Sequence, residues 1–236
     1  MSHLFSVRAL RNLLLASAIL SLSAVSTYAD NITIVLFTGF SASSDVAGMD
    51  RLNTTLQAAF ASTGVNSQVF GHTQQQAAFE FVNLHRQDTC CLIVIGHSLG
   101  GDSVIELAND FLNPAGITVN LSIQIDSVGV GDEVLPANIM MGINYFQIST
   151  GLFEPQGAMF VAGATNINVE TLFGDASITH TSIDDDARLH SRIVSDVANK
   201  CVPEPTTMLL LGTGLAGVAI KTRKRLKSRK RQGINS

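Results

Sequence analysis

The body of this chain is short of positive charge. Between positions 30 and 200 it holds five basic residues, Arg51, Arg86, Arg188, Arg192 and Lys200, against eighteen Asp/Glu. That is a net of −13, which the whole-chain value of −4 conceals. So acidic a surface offers no electrostatic footprint for a phosphate backbone, which excludes nucleic acid as a partner. Internal repeats and low-complexity stretches are absent too, which excludes a solenoid or a disordered linker protein. Cysteine is scarce. Cys90 and Cys91 are adjacent at the start of an apolar run and read as small core residues with a third thiol at Cys201, although export would permit a bridge from either one to Cys201.

Both ends differ from the body. Residues 1–29 read as a secretory signal peptide, with Arg8 and Arg11 ahead of an apolar stretch over 13–22 and a small-x-small cleavage site at Thr27-Tyr28-Ala29. The body then spans 30–200 and the tail 201–236. Cys201-Val202-Pro203-Glu204-Pro205 ends the preceding helix, because neither proline suits a helix interior. Residues 206–220 carry no charge, and 221–231 hold eight Lys/Arg in eleven positions. Fifteen helical residues cover roughly 22 Å, short of the ~30 Å hydrocarbon layer, so this is a marginal membrane span. Snorkelling stems such as Lys221 lengthen it, and the basic cluster behaves as a stop-transfer signal held on the cytoplasmic side.

The run Val202-Pro203-Glu204-Pro205-Thr206-Thr207-Met208-Leu209-Leu210-Leu211-Gly212-Thr213-Gly214-Leu215-Ala216-Gly217, followed by the basic end, resembles the PEP-CTERM sorting tail of Gram-negative bacteria. The resemblance implies anchoring in the inner membrane during transit and processing near Pro-Glu-Pro by an exosortase-type enzyme. It also implies a final place at the cell surface or in the extracellular matrix.

Within the body, apolar strands alternate with helical spacing. Strands are expected over 31–37, 68–70, 91–95, 119–126, 144–149 and 166–169, and helices over 45–62, 73–87, 98–112 and 186–200. The run Cys91-Leu92-Ile93-Val94-Ile95 is apolar throughout, as expected for a strand buried on both faces. Such alternation calls for an α/β fold, a mostly parallel sheet flanked by helices. About 170 residues leave little room for a lid domain.

Between the strand ending at Ile95 and the helix beginning at Ser98 lies Gly96-His97-Ser98-Leu99-Gly100-Gly101. The two glycines around Ser98 permit a sharp strand-to-helix elbow with the hydroxyl above the strand ends; the plainer alternative is a Gly-rich turn with Ser98 as a helix N-cap. This segment resembles the nucleophile elbow of the lipase and esterase branch of the α/β-hydrolase superfamily. The resemblance implies a compact α/β-hydrolase fold and the chain order Ser, then Asp or Glu, then His. Asp126, ending the next strand, fits the acid; most members carry it one or two strands later, and Asp132, Glu133 and Asp175 compete from loops. His3 leaves with the signal peptide, and His72, His85 and His97 precede the acid. His180, in the loop entering the last helix, fits the base better than His190 inside that helix. Backbone N–H groups of Leu99 and Phe40 are the implied oxyanion donors, with Thr38 where many relatives have histidine.

Asp184-Asp185-Asp186 reads as capping for the last helix rather than a metal site, and neither metal nor cofactor enters this reading. Residues 136–138 and 144–147 are candidates for a pocket wall, although an aromatic strand is as readily core. The chemistry expected is hydrolysis of a carboxylic ester, on a lipid or an acylated polysaccharide, through an acyl-Ser98 intermediate. An acyltransferase, a thioesterase or a non-catalytic surface protein on the same scaffold are the alternatives.

Overall fold

The computed structural model describes residues 31–40, 46–149 and 155–201. The signal peptide expected over 1–29 and the tail beyond Cys201 lie outside these residues, as does Asp45 at the expected start of the first helix. Six strands form one sheet: β1 (Asn31–Phe37), β2 (Val65–Phe70), β3 (Thr89–His97), β4 (Leu121–Ile125), β5 (Gly142–Phe146) and β6 (Ala164–Asn168). Their order is β2-β1-β3-β4-β5-β6, and every neighbouring pair is parallel. Helices α1 (Val46–Ala59), α2 (Gln75–His85) and α3 (Leu99–Glu106) make the first three crossovers, while α4 (Val169–Phe173) and α5 (Ala187–Cys201) follow β6. This is the compact α/β architecture that the alternating pattern calls for.

Side chains along β1 alternate between two cores, as the two-residue strand period requires. Ile32, Ile34 and Leu36 face α1 and α5, meeting Met49, Leu52 and Leu56 of the first and Leu189, Ile193 and Val197 of the second. Val35 and Phe37 face α2 and α3, meeting Ala78, Val82, Val104 and Ile105. The spacing of Leu189, Ile193 and Val197 places all three on one face of α5. Strand order reverses between β1 and β3, because the chain leaves β1 outward to β2 and returns on its other side. A crevice opens at such a reversal, at the carboxyl ends of the strands.

Several boundaries differ from the sequence pattern. Strand β2 starts at Val65 rather than 68, since Asn66 and Ser67 pair with Thr33 and Ile34 of β1 despite their polarity. The helix expected over 98–112 is α-helical only to Glu106 and continues as a wider π-helical stretch, Leu107–Leu112. Helix α4 is too short to show a period, although Asn168 caps it by accepting from the Thr171 N–H (2.8 Å) and Gly174 ends it at φ 65°. Of the three consecutive aspartates, Asp186 caps α5, accepting from the Arg188 N–H at 2.8 Å. Asp185 instead pairs with Arg51 of α1.

A disulfide joins Cys91 to Cys201 across 110 residues. This corrects the reading of the cysteines as core residues plus a separate thiol. Helix α5 runs back along the sheet and sets its last residue beside the start of β3, a meeting that no local spacing reveals. Cys90 is exposed, its thiol directed to the Asn31 carbonyl at 3.4 Å. Among the described residues no helix is long and apolar enough to cross a membrane; the apolar segment 206–220 lies outside them.

Candidate functional site

The elbow forms because two constraints meet at one residue. Strand β3 is paired on both sides, with β1 and β4, as far as Gly96 and His97, and α3 starts at Leu99. The chain must therefore turn at Ser98, which takes φ 56° and ψ −126°. That is the left-handed half of backbone space, which a residue with a Cβ occupies at a cost of about 1–3 kcal/mol. The flanking glycines let backbone approach backbone. A Cβ on Gly96 would run into the Gly100 carbonyl, and one on Gly100 into the Phe37 carbonyl.

Ser98 does not act as a capping side chain. Its Oγ lies 2.8 Å from His180 Nε2, and His180 Nδ1 lies 2.7 Å from Asp126 Oδ2. A carboxylate only accepts, so the Nδ1–H donates to Asp126 and Nε2 is left to accept the Ser98 O–H. All three residues are buried. Asp126 also sits at positive φ, 44°; it and Ser98 are the non-glycine residues with this conformation among those described. Its carboxylate is fully engaged: Oδ2 also accepts from Gln147 Nε2 at 3.0 Å, and Oδ1 from the N–H groups of Gly157 (3.2 Å) and Gln147 (3.4 Å).

The competing acids lie elsewhere. Asp132 accepts from the Ser127 hydroxyl, and Asp175 is held by Arg188 and Ser177. Glu133 receives the Ala162 N–H on its main-chain carbonyl. His190 is buried, and its Nε2–H donates to the Asp184 carbonyl at 2.6 Å.

Two residues that sequence reasoning set aside belong to this site. His97, fully buried, donates its Nε2–H to the main-chain carbonyl of His180 at 3.0 Å, and the two rings lie 5.0 Å apart. Burial, reinforced by the neighbouring His180 ring, pulls the His97 imidazole down to about 4. Burial keeps it neutral at ordinary pH, with Nδ1 3.6 Å from Asp184 Oδ2. Gln147, named only as a pocket wall, instead bonds the Asp126 carboxylate. Other proposed wall residues are structural. Tyr145 is buried with its hydroxyl on Asp196, and Asn144 donates to the Ala158 carbonyl (2.8 Å). Asn138 donates to the Ala108 and Ile117 carbonyls (2.9 and 3.1 Å), next to the bridge between Val119 and Ile139. That places 136–138 at the amino-end edge of the sheet, away from Ser98.

Residues 38–40 leave β1 and cross directly above the elbow. A Cβ on Gly39 would stand 2.8 Å from Ser98 Cβ and 3.2 Å from its Oγ, so the backbone itself approaches the hydroxyl. Leu99 opens α3, and its N–H belongs to the first turn, where helices leave N–H groups without an internal partner. Chemically, the assembly can pass a proton from Ser98 to His180 while Asp126 holds the ring and balances the resulting imidazolium.

Beyond the described residues, positions 202–225 match the PEP-CTERM protein-sorting motif. The chain carries an exosortase-type sorting signal. That motif marks it for export and begins one residue after the Cys91–Cys201 bond. No curated protein matches the chain. Among solved structures, the crystal structure of the esterase domain from a Rhodothermus marinus protein is similar at TM-score 0.47 and 14% identity, over 74% of this chain and 89% of that one.

Proposed function

We propose that this PEP-CTERM protein is an exported serine hydrolase of carboxylic esters, with Ser98, His180 and Asp126 as its catalytic residues. The observation that carries the proposal is the unbroken hydrogen-bond chain from the Ser98 hydroxyl through His180 to Asp126, ending on a serine held at positive φ.

In the first half-reaction the Ser98 proton moves to His180 Nε2 as Oγ bonds to the ester carbonyl carbon. The carbonyl oxygen becomes an oxyanion, received by the N–H groups of Leu99 and Phe40. When the intermediate collapses, the bond to the alcohol oxygen breaks and that oxygen takes the proton from His180. Water then repeats the sequence: it gives a proton to His180, attacks the acyl-Ser98 carbonyl, and releases the acid as the proton returns to Ser98 Oγ. No metal or cofactor enters these steps. An exosortase-type enzyme processes the tail, and the matured body works at the cell surface or in the extracellular matrix.

The test is active-site labelling of the full chain with a fluorophosphonate, beside hydrolysis of short-chain p-nitrophenyl esters. Both are expected in the wild type and lost in Ser98→Ala and His180→Ala. Labelling that survives Ser98→Ala overturns the assignment. Labelling without turnover turns the reading towards an acyltransferase, and no labelling towards a non-catalytic scaffold.

A further inference from the structure

The turn between β2 and α2 carries a histidine that the proton relay does not use. Gly71 and Gln74 close this turn by two hydrogen bonds: the Gly71 N–H donates to Gln74 Oε1 (2.7 Å), and the Gln74 N–H to the Gly71 carbonyl (2.9 Å). Within it, the main-chain carbonyl of His72 accepts from Ser103 Oγ of α3 at 2.6 Å and from Gln75 Nε2 at 2.9 Å. The backbone of residue 72 is thereby tied to the helix that starts at the elbow. Its ring reaches the other way. Nδ1 lies 3.2 Å from the Gly39 carbonyl, which can only accept, so Nδ1–H is the donor. The ring also packs against Phe40, with centroids 6.2 Å apart.

These contacts close a circuit around the nucleophile: from Ser98 along α3 to Ser103, across to His72, from its ring to Gly39, and from Gly39 back to Ser98. What the circuit fixes follows from peptide geometry. The Gly39 carbonyl and the Phe40 N–H belong to one planar trans unit, in which C=O and N–H point in opposite directions. Holding the carbonyl towards His72 therefore directs the Phe40 N–H away from it. Nearby, the Thr38 N–H donates to the Phe70 carbonyl at 2.9 Å, so residue 38 is pinned to the end of β2 and residue 39 to the turn that follows.

We infer that His72 is a positioning residue for the oxyanion hole, setting the orientation of the Gly39–Phe40 peptide so that its N–H receives the negative charge of the tetrahedral intermediate. The inference rests on the ester-hydrolase reading above. His72 stands outside the proton relay and acts through the loop.

The test compares full-length His72→Ala, His72→Phe and His72→Asn with the wild type on a p-nitrophenyl ester. Asparagine places an amide N–H at the same bond distance from Cβ as imidazole Nδ1, whereas phenylalanine keeps the ring against Phe40 without the donor. Outright loss of one oxyanion donor costs about 10²–10³ in kcat, which sets the ceiling. Removing the bond that aims the donor should therefore lower kcat about 10- to 100-fold in the alanine and phenylalanine variants, with KM within about threefold. His72→Asn should recover most of that loss. Affinity for an alkyl boronic acid, whose serine adduct is tetrahedral, should fall in step with kcat/KM. The inference is overturned if His72→Phe, folded by circular dichroism, keeps kcat within twofold of wild type. It is overturned equally if the loss appears in KM alone, or if His72→Asn is no better than His72→Phe. Hydrolysis that persists in Ser98→Ala is a separate outcome; it overturns the parent reading and this inference with it.

Discussion

Ser98 and Asp126 both sit at positive φ, which side chains disfavour, and each is held there by strand-end hydrogen bonds. The Ser98 N–H donates to the Ile125 carbonyl at 3.1 Å, and the Asp126 N–H to that of Tyr145 at 2.7 Å. Relief of strain should therefore show in stability. Ser98→Gly and Ser98→Ala are both expected to be inactive, but chemical denaturation should find the glycine variant more stable by about 1 kcal/mol. Asp126→Asn should fold normally and lose on the order of 10⁴ in turnover, because an amide turned towards His180 Nδ1 favours the wrong tautomer. His97 gives a pH signature. Its folded-state value, about 4, lies below the ordinary 6.5, so between those values the unfolded chain binds more protons. The stability tied to a neutral His97 is thus complete above about pH 6.5 and lost as pH falls towards about 4. It amounts to on the order of 3 kcal/mol. Asp102 acts in the opposite sense: burial and the nearby Glu106 push its carboxyl up to about 6, so the stability of its protonated form is lost as pH rises through that value. Comparing wild type with His97→Asn cancels Asp102. The stability difference between the two should change steadily from pH 6.5 to 4, and a constant difference would contradict the assignment.

Elements that bury apolar faces were legible in the sequence, because burial leaves a period behind. The β1 run and the Leu189, Ile193, Val197 spacing of α5 are examples, and Gly-x-Ser-x-Gly between strand and helix marked the elbow. Asp126 stood out by its place at a strand end, and His180 because the chain order that the resemblance implies leaves His190 as its one rival. Their supports were not legible. Gln147 reaches Asp126 only because β5 ends beside β4, and His97 reaches the His180 carbonyl across 83 positions of sequence. Neither neighbourhood has a local signature. Helix α4 left only its caps, too few residues for a period. The elbow helix carries its own prediction. Gly100 packs against the Phe37 carbonyl with no room for a Cβ, and backbone cannot step aside as a flexible side chain can. Gly100→Ala should cost about 1–3 kcal/mol in thermal or chemical denaturation and lower activity, since α3 must shift and carry Ser98 with it.

Across the whole molecule, the proposed nucleophile and the crosslink lie at opposite ends of β3. Ser98 follows its last residue, while Cys91 is its third and is bonded to Cys201. Closing a loop of 110 residues restricts the unfolded chain far more than the folded one. Cys201→Ser, or reduction, should lower stability by about 2–5 kcal/mol. That corresponds to a fall in Tm on the order of 10 °C, with ester turnover little changed well below the transition. Turnover lost in parallel with the disulfide at low temperature would contradict this separation. The same bond decides how the body meets mechanical load. A terminal helix under tension ordinarily peels away one turn at a time from its free end. Here a pull on the sorting tail passes through sulfur into a strand hydrogen-bonded to β1 on one side and β4 on the other. The load reaches the middle of the sheet directly, and α5, inside the closed loop, is spared.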